Sequence, residues 1–157
     1  MTKDRYQIGL KTVSKVNARG AARLAESLGD IAPDFHEIIM SFAYGDLASR
    51  PGLDLPRREI ATIAALTALG NARPQLEAHI VGGLNVGLTR EEIVEVIMQM
   101  AVYAGIPAAI NGLIAARKAF VQFEAQKPRR KKVPGSAAKP ARKRKVSRRK
   151  PSAKRVP

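Results

Sequence analysis

An all-α fold, a bundle of about six to seven helices followed by a disordered basic tail, is what this sequence predicts. Three observations carry that reading. Residues 1–126 contain thirteen basic and thirteen acidic residues and run as apolar stretches at helical spacing, punctuated by glycine and proline. No stretch alternates polar and apolar residues as a half-buried strand does. Residues 127–157 contain fifteen Lys or Arg and no Asp or Glu, so the whole formal charge of +15 belongs to the tail. The chain divides accordingly into a neutral helical domain, 1–126, and a tail, 127–157. In the tail only Val133, Val146 and Val156 are apolar and larger than Ala or Pro, too little burial to offset the entropy of ordering.

The elements follow in order. An Ala-rich helix over about 16–28 ends at Gly29, a natural residue to follow a helix. Pro33 suits the first turn of a helix running to about 48. Arg50-Pro51-Gly52-Leu53-Asp54-Leu55-Pro56 breaks any period and connects to a helix from about 56 to Gly70. The next helix runs from about Pro74 to near Gly87 and carries His79. Thr89-Arg90-Glu91-Glu92 is a capping box, in which the Thr89 hydroxyl and the Glu92 carboxylate each accept the other's backbone N–H. The helix it opens has Ile93, Val96, Ile97, Met100, Ala101 and Ala104 at core spacing, with Val94, Met98 and Val102 on a second face. That second face predicts contact with another subunit. Gly105 ends this helix and Pro107 opens the last, to about Gln126.

Composition excludes several functions. With no cysteine there is no disulfide, thiolate nucleophile or cysteine metal site, and no metal-ligand motif is present. The start lacks the apolar run of a signal peptide, and the most apolar stretch, Met100 to Ala116, is interrupted by Gly105, Pro107 and Asn111. A soluble cytoplasmic protein without membrane contact is expected.

Chemistry is sought in polar residues on apolar helices. His79 has glycines three and four positions on, Gly82 and Gly83, on its own face. Each costs a helix about 1 kcal/mol relative to alanine, and together they leave a hollow beside the imidazole for another helix or a small molecule. The plainer alternative is a packed core histidine at a tight helix crossing. Arg57 and Arg58 sit in the first turn of their helix, where a cation opposes the helix dipole unless an anion binds. Alternatively they pair with Asp54 or Glu59 at the surface. Glu59 is a better partner for the imidazole than Glu77, which is two residues from His79 and faces elsewhere. Asn85 and Asn111 are candidate oxyanion donors or helix-end caps.

Taken in order, Tyr44-Gly45, Arg50-Pro51-Gly52-Leu53-Asp54, Arg58 with the helix to Gly70, Glu77-Ala78-His79, Gly83-Leu84-Asn85-Val86-Gly87-Leu88-Thr89-Arg90-Glu91-Glu92-Ile93 and Val102-Tyr103-Ala104-Gly105-Ile106-Pro107-Ala108-Ala109 resemble the carboxymuconolactone decarboxylase family. That family shares the helical fold of the alkylhydroperoxidase AhpD, and the resemblance covers about residues 40–120. Its peroxidase branch uses Cys-x-x-Cys-x-x-x-His. With that histidine at His79, the cysteine positions hold Ala72 and Gln75, so dithiol chemistry is excluded. The decarboxylase branch removes carbon dioxide from 4-carboxymuconolactone without a cofactor, the substrate serving as its own electron sink. On this resemblance His79 is the proton donor with Glu59, and Arg58 and Asn85 bind a small carboxylate substrate. A trimer or hexamer is expected. The decarboxylase branch also carries an arginine two residues after the histidine and a second asparagine after Asn85. Here those positions are Val81 and Val86, which puts the specific substrate in question.

A competing reading is a non-enzymatic nucleic-acid-associated protein whose oligomeric body clusters basic tails. Its contacts would come from Arg129, Arg130, Lys131 and Lys132, then Arg142, Lys143, Arg144 and Lys145, then Arg148, Arg149 and Lys150. Cations without aromatic residues give charge-driven, non-specific binding to phosphates.

Overall fold

The computed structural model describes residues 3–126; the expectations for the tail, 127–157, lie outside the described residues. The described residues are helical throughout, with no strand among them, as the sequence predicts. The order is α1 (Lys3–Leu28), α2 (Phe35–Ile39) passing directly into a π-helix (Met40–Ala48), α3 (Leu55–Leu69), α4 (Arg73–Asn85), α5 (Arg90–Ala104) and α6 (Ile106–Gln126). None of these helices is long and apolar enough to cross a membrane.

Local chemistry sets most of the boundaries. Asp54 caps α3, its side chain accepting the Arg57 N–H at 3.0 Å, and Gly70 closes it in the left-handed region at φ 73°. At α5 the capping box is complete: the Glu92 N–H donates to Thr89 Oγ1 at 3.1 Å and the Thr89 N–H donates to Glu92 Oε2 at 2.7 Å. The Thr89 N–H and then the Thr89 hydroxyl, both donating to Oε2, hold the Glu92 carboxyl below its ordinary pKa.

Two features depart from the sequence reading. Helix α1 begins at Lys3, well before residue 16, and is interrupted at Asn17 (φ −159°, ψ 74°). There the Asn17 side chain restarts the helix by accepting the Gly20 N–H at 2.9 Å. Its amide donates across to the Ala78 carbonyl of α4 at 3.0 Å. The second departure is the π-helix, whose wider turn replaces the α-helix expected up to residue 48. It packs on α1 where glycine faces glycine. A Cβ on Gly9 would lie 1.9 Å from the Met40 carbonyl oxygen, and one on Gly45 would lie 2.3 Å from that of Arg5. Arg5 then clamps the next residue, Asp46, through both guanidinium and carboxylate, with Nε donating to Oδ1 at 2.7 Å.

The core joins Ile63 of α3, Leu76, Ile80 and Val81 of α4, Ile93 and Ile97 of α5, and Ala115, Ala116 and Ala119 of α6. The small α6 residues let α5 and α3 approach: a Cβ on Gly112 would meet Ile97 Cγ2 at 2.8 Å. Within α5 the predicted core stripe is only partly enclosed, since Ile93 and Ile97 are sealed while Val96 packs at the margin. The second face is open, with Met98, Val102 and Tyr103 exposed, and α6 likewise exposes Ile106, Ile110 and Ile114.

Candidate active site

A cleft of about 1670 Å³ opens between α1, the π-helix, α3, α4 and the end of α6, and His79, Glu59 and Arg58 all line it. His79 projects from the middle of α4, and Glu59 from the first turns of α3. The two meet with His79 Nδ1 at 2.9 Å from Glu59 Oε2. The glutamate side chain is 6% exposed and the imidazole 27%. A carboxylate can only accept, so Nδ1–H donates to it, and Nε2 is left without a partner among the described residues. This pair can hold or deliver a proton at Nε2.

Gly82 and Gly83 have a different consequence from a vacant hollow. A Cβ on Gly82 would lie 2.7 Å from Val16 Cγ1 and 3.2 Å from Glu59 Oε2. The glycines therefore admit α1 and the Glu59 carboxylate against α4, and the space on that side is filled by protein. The tight crossing is real, yet His79 is not sealed into the core; its open edge faces the cleft instead.

The two arginines of the α3 first turn part company. Arg57 pairs with Asp54 at the surface. Arg58 donates from Nε to the Leu53 carbonyl at 3.0 Å and from Nη2 to the Arg50 carbonyl at 3.1 Å. Those bonds fix its guanidinium against the connector and leave Nη1 without a partner among the described residues. Further cations line the cleft, namely Arg23, Arg73, Arg117 and Lys118, against only two carboxylates, Glu59 and Glu77. Glu77 also lines the cleft, and accepts from Arg73 Nε at 3.1 Å and Lys118 Nζ at 2.8 Å. The wall is net positive and suits an anionic ligand.

Asn85 lies elsewhere. Its amide donates to the Val16 carbonyl at 2.8 Å, and it lines a smaller cleft with Ser14, Lys15 and Arg19. Val81 is enclosed in the core at 1% exposure, so that position does not face the cleft at all. Among the described residues no cluster of three His, Asp or Glu side chains could hold a metal ion.

Sequence reasoning missed Tyr44 and the α6 cations. Tyr44 lines the same cleft from the π-helix. Burial first, and then the neighbouring Glu59 charge, push its hydroxyl up to about 12. Its place in the Tyr44-Gly45 pair was the available signal, whereas nothing local to Arg117-Lys118 indicates where α6 will end up.

Compared with known proteins, residues 33–118 match the Carboxymuconolactone decarboxylase family. A 4-carboxymuconolactone decarboxylase of Acinetobacter baylyi is 37% identical over 117 residues, covering 74% of this chain and 87% of that protein. The chain belongs to this family. A nitrosuccinic acid decarboxylase of Metarhizium robertsii is 35% identical over 82 residues, covering 52% of this chain and 57% of that protein. The family match contains Tyr44, Arg58, Glu59 and His79, and begins after α1, which adds the apolar wall of Val13 and Val16 to the cleft. As a family member without cysteine, the chain has no residue for dithiol peroxidase chemistry.

Proposed function

We propose that this chain is a cofactor-independent decarboxylase, a lyase acting on a small carboxylated lactone or aromatic ring-cleavage product of the 4-carboxymuconolactone type. The observation that carries the reading is the His79–Glu59 pair, joined at 2.9 Å, opening into a cleft lined mainly by cations. Arg58 Nη1 anchors a substrate carboxylate. The bond from the ring to the departing carboxylate breaks, carbon dioxide leaves, and the electron pair delocalises through the butenolide onto the lactone carbonyl oxygen. His79 then delivers the proton from Nε2 to a ring carbon of that dienolate, and Glu59 stabilises the imidazolium from which the proton comes. The family match and the two decarboxylase relatives support this assignment. The test is a panel of carboxylated butenolides and ring-cleavage acids incubated with the purified protein, with carbon dioxide measured. Release from at least one lactone is expected; a panel wholly inert above the uncatalysed rate overturns the assignment.

The working form is a homo-oligomer, a trimer or hexamer, and the exposed apolar residues of α5 and α6 are the support for it. A second activity rests on composition: fifteen cations without an acid in residues 127–157 bind nucleic acid through phosphates. Each phosphate neutralised on duplex DNA adds about 0.9 to the slope of log affinity against log salt, and several tails on one oligomer raise avidity. Deleting 127–157 should abolish salt-sensitive retention on duplex DNA while light scattering reports an unchanged oligomer of the helical domain. Retention by the truncated protein, or a monomeric mass, contradicts this division of labour.

A further inference from the structure

The chemistry just proposed develops negative charge on the lactone carbonyl oxygen, and the side chains assigned so far do not meet it. Arg58 holds a carboxylate, His79 moves a proton, and the amide of Asn85 is engaged with Val16 outside the cleft. Tyr44 lines the same cleft, and its hydroxyl lies near enough to the pair to be influenced by the Glu59 charge. We infer that Tyr44 is a catalytic residue whose hydroxyl donates a hydrogen bond to the lactone carbonyl oxygen as carbon dioxide departs, an inference that rests on the decarboxylase reading.

Three observations support it. Tyr44 lines the cleft together with His79, Glu59 and Arg58. Among the described residues the one fully enclosed side-chain polar atom without a partner is Ser41 Oγ. The Tyr44 hydroxyl, which also has no hydrogen-bond partner there, is therefore not fully enclosed, on a residue that lines the cleft. Its backbone is held firmly: Gly45 packs against the Arg5 carbonyl so closely that a Cβ would lie 2.3 Å from it, and Asp46 is clamped by Arg5. The Ser49 hydroxyl adds a bond to the Gly45 carbonyl at 2.5 Å. A donor fixed before the reaction needs no reorganisation when charge develops, which is the condition for oxyanion stabilisation.

The protonation state fits as well. Burial and Glu59 keep the hydroxyl protonated until about pH 12, so it remains a donor wherever the reaction would run. The step balances. The electron pair of the broken carbon–carbon bond moves to the carbonyl oxygen, Tyr44 hydrogen-bonds that oxygen without losing its proton, and the charge returns to carbon when His79 protonates the ring.

The test compares wild-type protein with Tyr44→Phe, which keeps the ring and its packing; circular dichroism checks that helicity is retained. With the lactone that releases carbon dioxide, kcat should fall about 100-fold while KM changes little. A kcat within threefold of wild type overturns the inference. A second readout needs no turnover: 4-hydroxy-3-nitrophenylacetate, whose phenolate and acetate stand in for the dienolate oxygen and a retained carboxylate. Wild-type protein should lower the pKa of the bound phenol, and Tyr44→Phe should bind the phenolate about 10- to 100-fold more weakly. Equal phenolate affinity in the two proteins, or no binding to either, overturns the inference. A wild type inert to every lactone that still shows the Tyr44-dependent phenolate effect fails the decarboxylase reading and leaves the oxyanion donor standing.

Discussion

Replacing His79 by glutamine should lower the rate of carbon dioxide release by about 10²- to 10⁴-fold, the usual contribution of a positioned general acid. Glutamine preserves side-chain length and a hydrogen bond to Glu59 but carries no transferable proton. Because His79 is partly open to the cleft and absent from the sealed core, the fold should survive the change. Substrate affinity should change little, since Arg58 and the other cations remain. Glu59→Gln should cause a smaller loss in rate, because an amide at 2.9 Å still orients the imidazole but adds no negative charge beside it. Steady-state rates across pH for both variants check this, and an unchanged rate in His79→Gln would remove the histidine from the mechanism.

The second large effect is on stability. Gly9→Ala should cost about 3 kcal/mol or more, at the upper end of overpacking. Its Cβ would stand 1.9 Å from the Met40 carbonyl oxygen; a Cβ is fixed by its backbone and the oxygen belongs to backbone, so neither can rotate away. Helix α1 must move off the π-helix, opening the cleft wall that positions Tyr44. Gly52→Ala is the control. A Cβ there meets nothing within 4 Å, and the change should stay within about 0.5 kcal/mol. Urea denaturation midpoints of the two variants provide the comparison; equal midpoints would mean that the α1–π-helix crossing is not close.

How much of this was legible in the sequence depended on how far each signal reaches. The capping box at Thr89 and the helix end at Gly70 are local chemistry, written within four or five residues, and both appear as read. The His79–Glu59 pair was legible at longer range because helices joined by a short connection pack side by side, and a glutamate early in one can reach the middle of the next. Asn17 was not legible. Its side chain interrupts α1 and bonds to Ala78, sixty-one residues away in sequence. The π-helix depends on the Gly9 and Gly45 approach, again a tertiary matter. Asn85 shows the same limit from the other side: its residue type suited an oxyanion donor, yet its place at the end of α4 turns its amide to α1.

In the mechanism we propose, the His79–Glu59 pair protonates a dienolate formed by loss of carbon dioxide, with no help from an added cofactor. The direct measurement is to incubate purified, chelator-treated protein with a carboxylated butenolide in deuterium oxide, following carbon dioxide and the product by mass spectrometry and NMR. One carbon dioxide per lactone consumed is expected, with a single deuterium on one ring carbon in one configuration, and loss of this activity in His79→Gln. No carbon dioxide, or deuterium distributed equally between both configurations at the rate shown by His79→Gln, would contradict it.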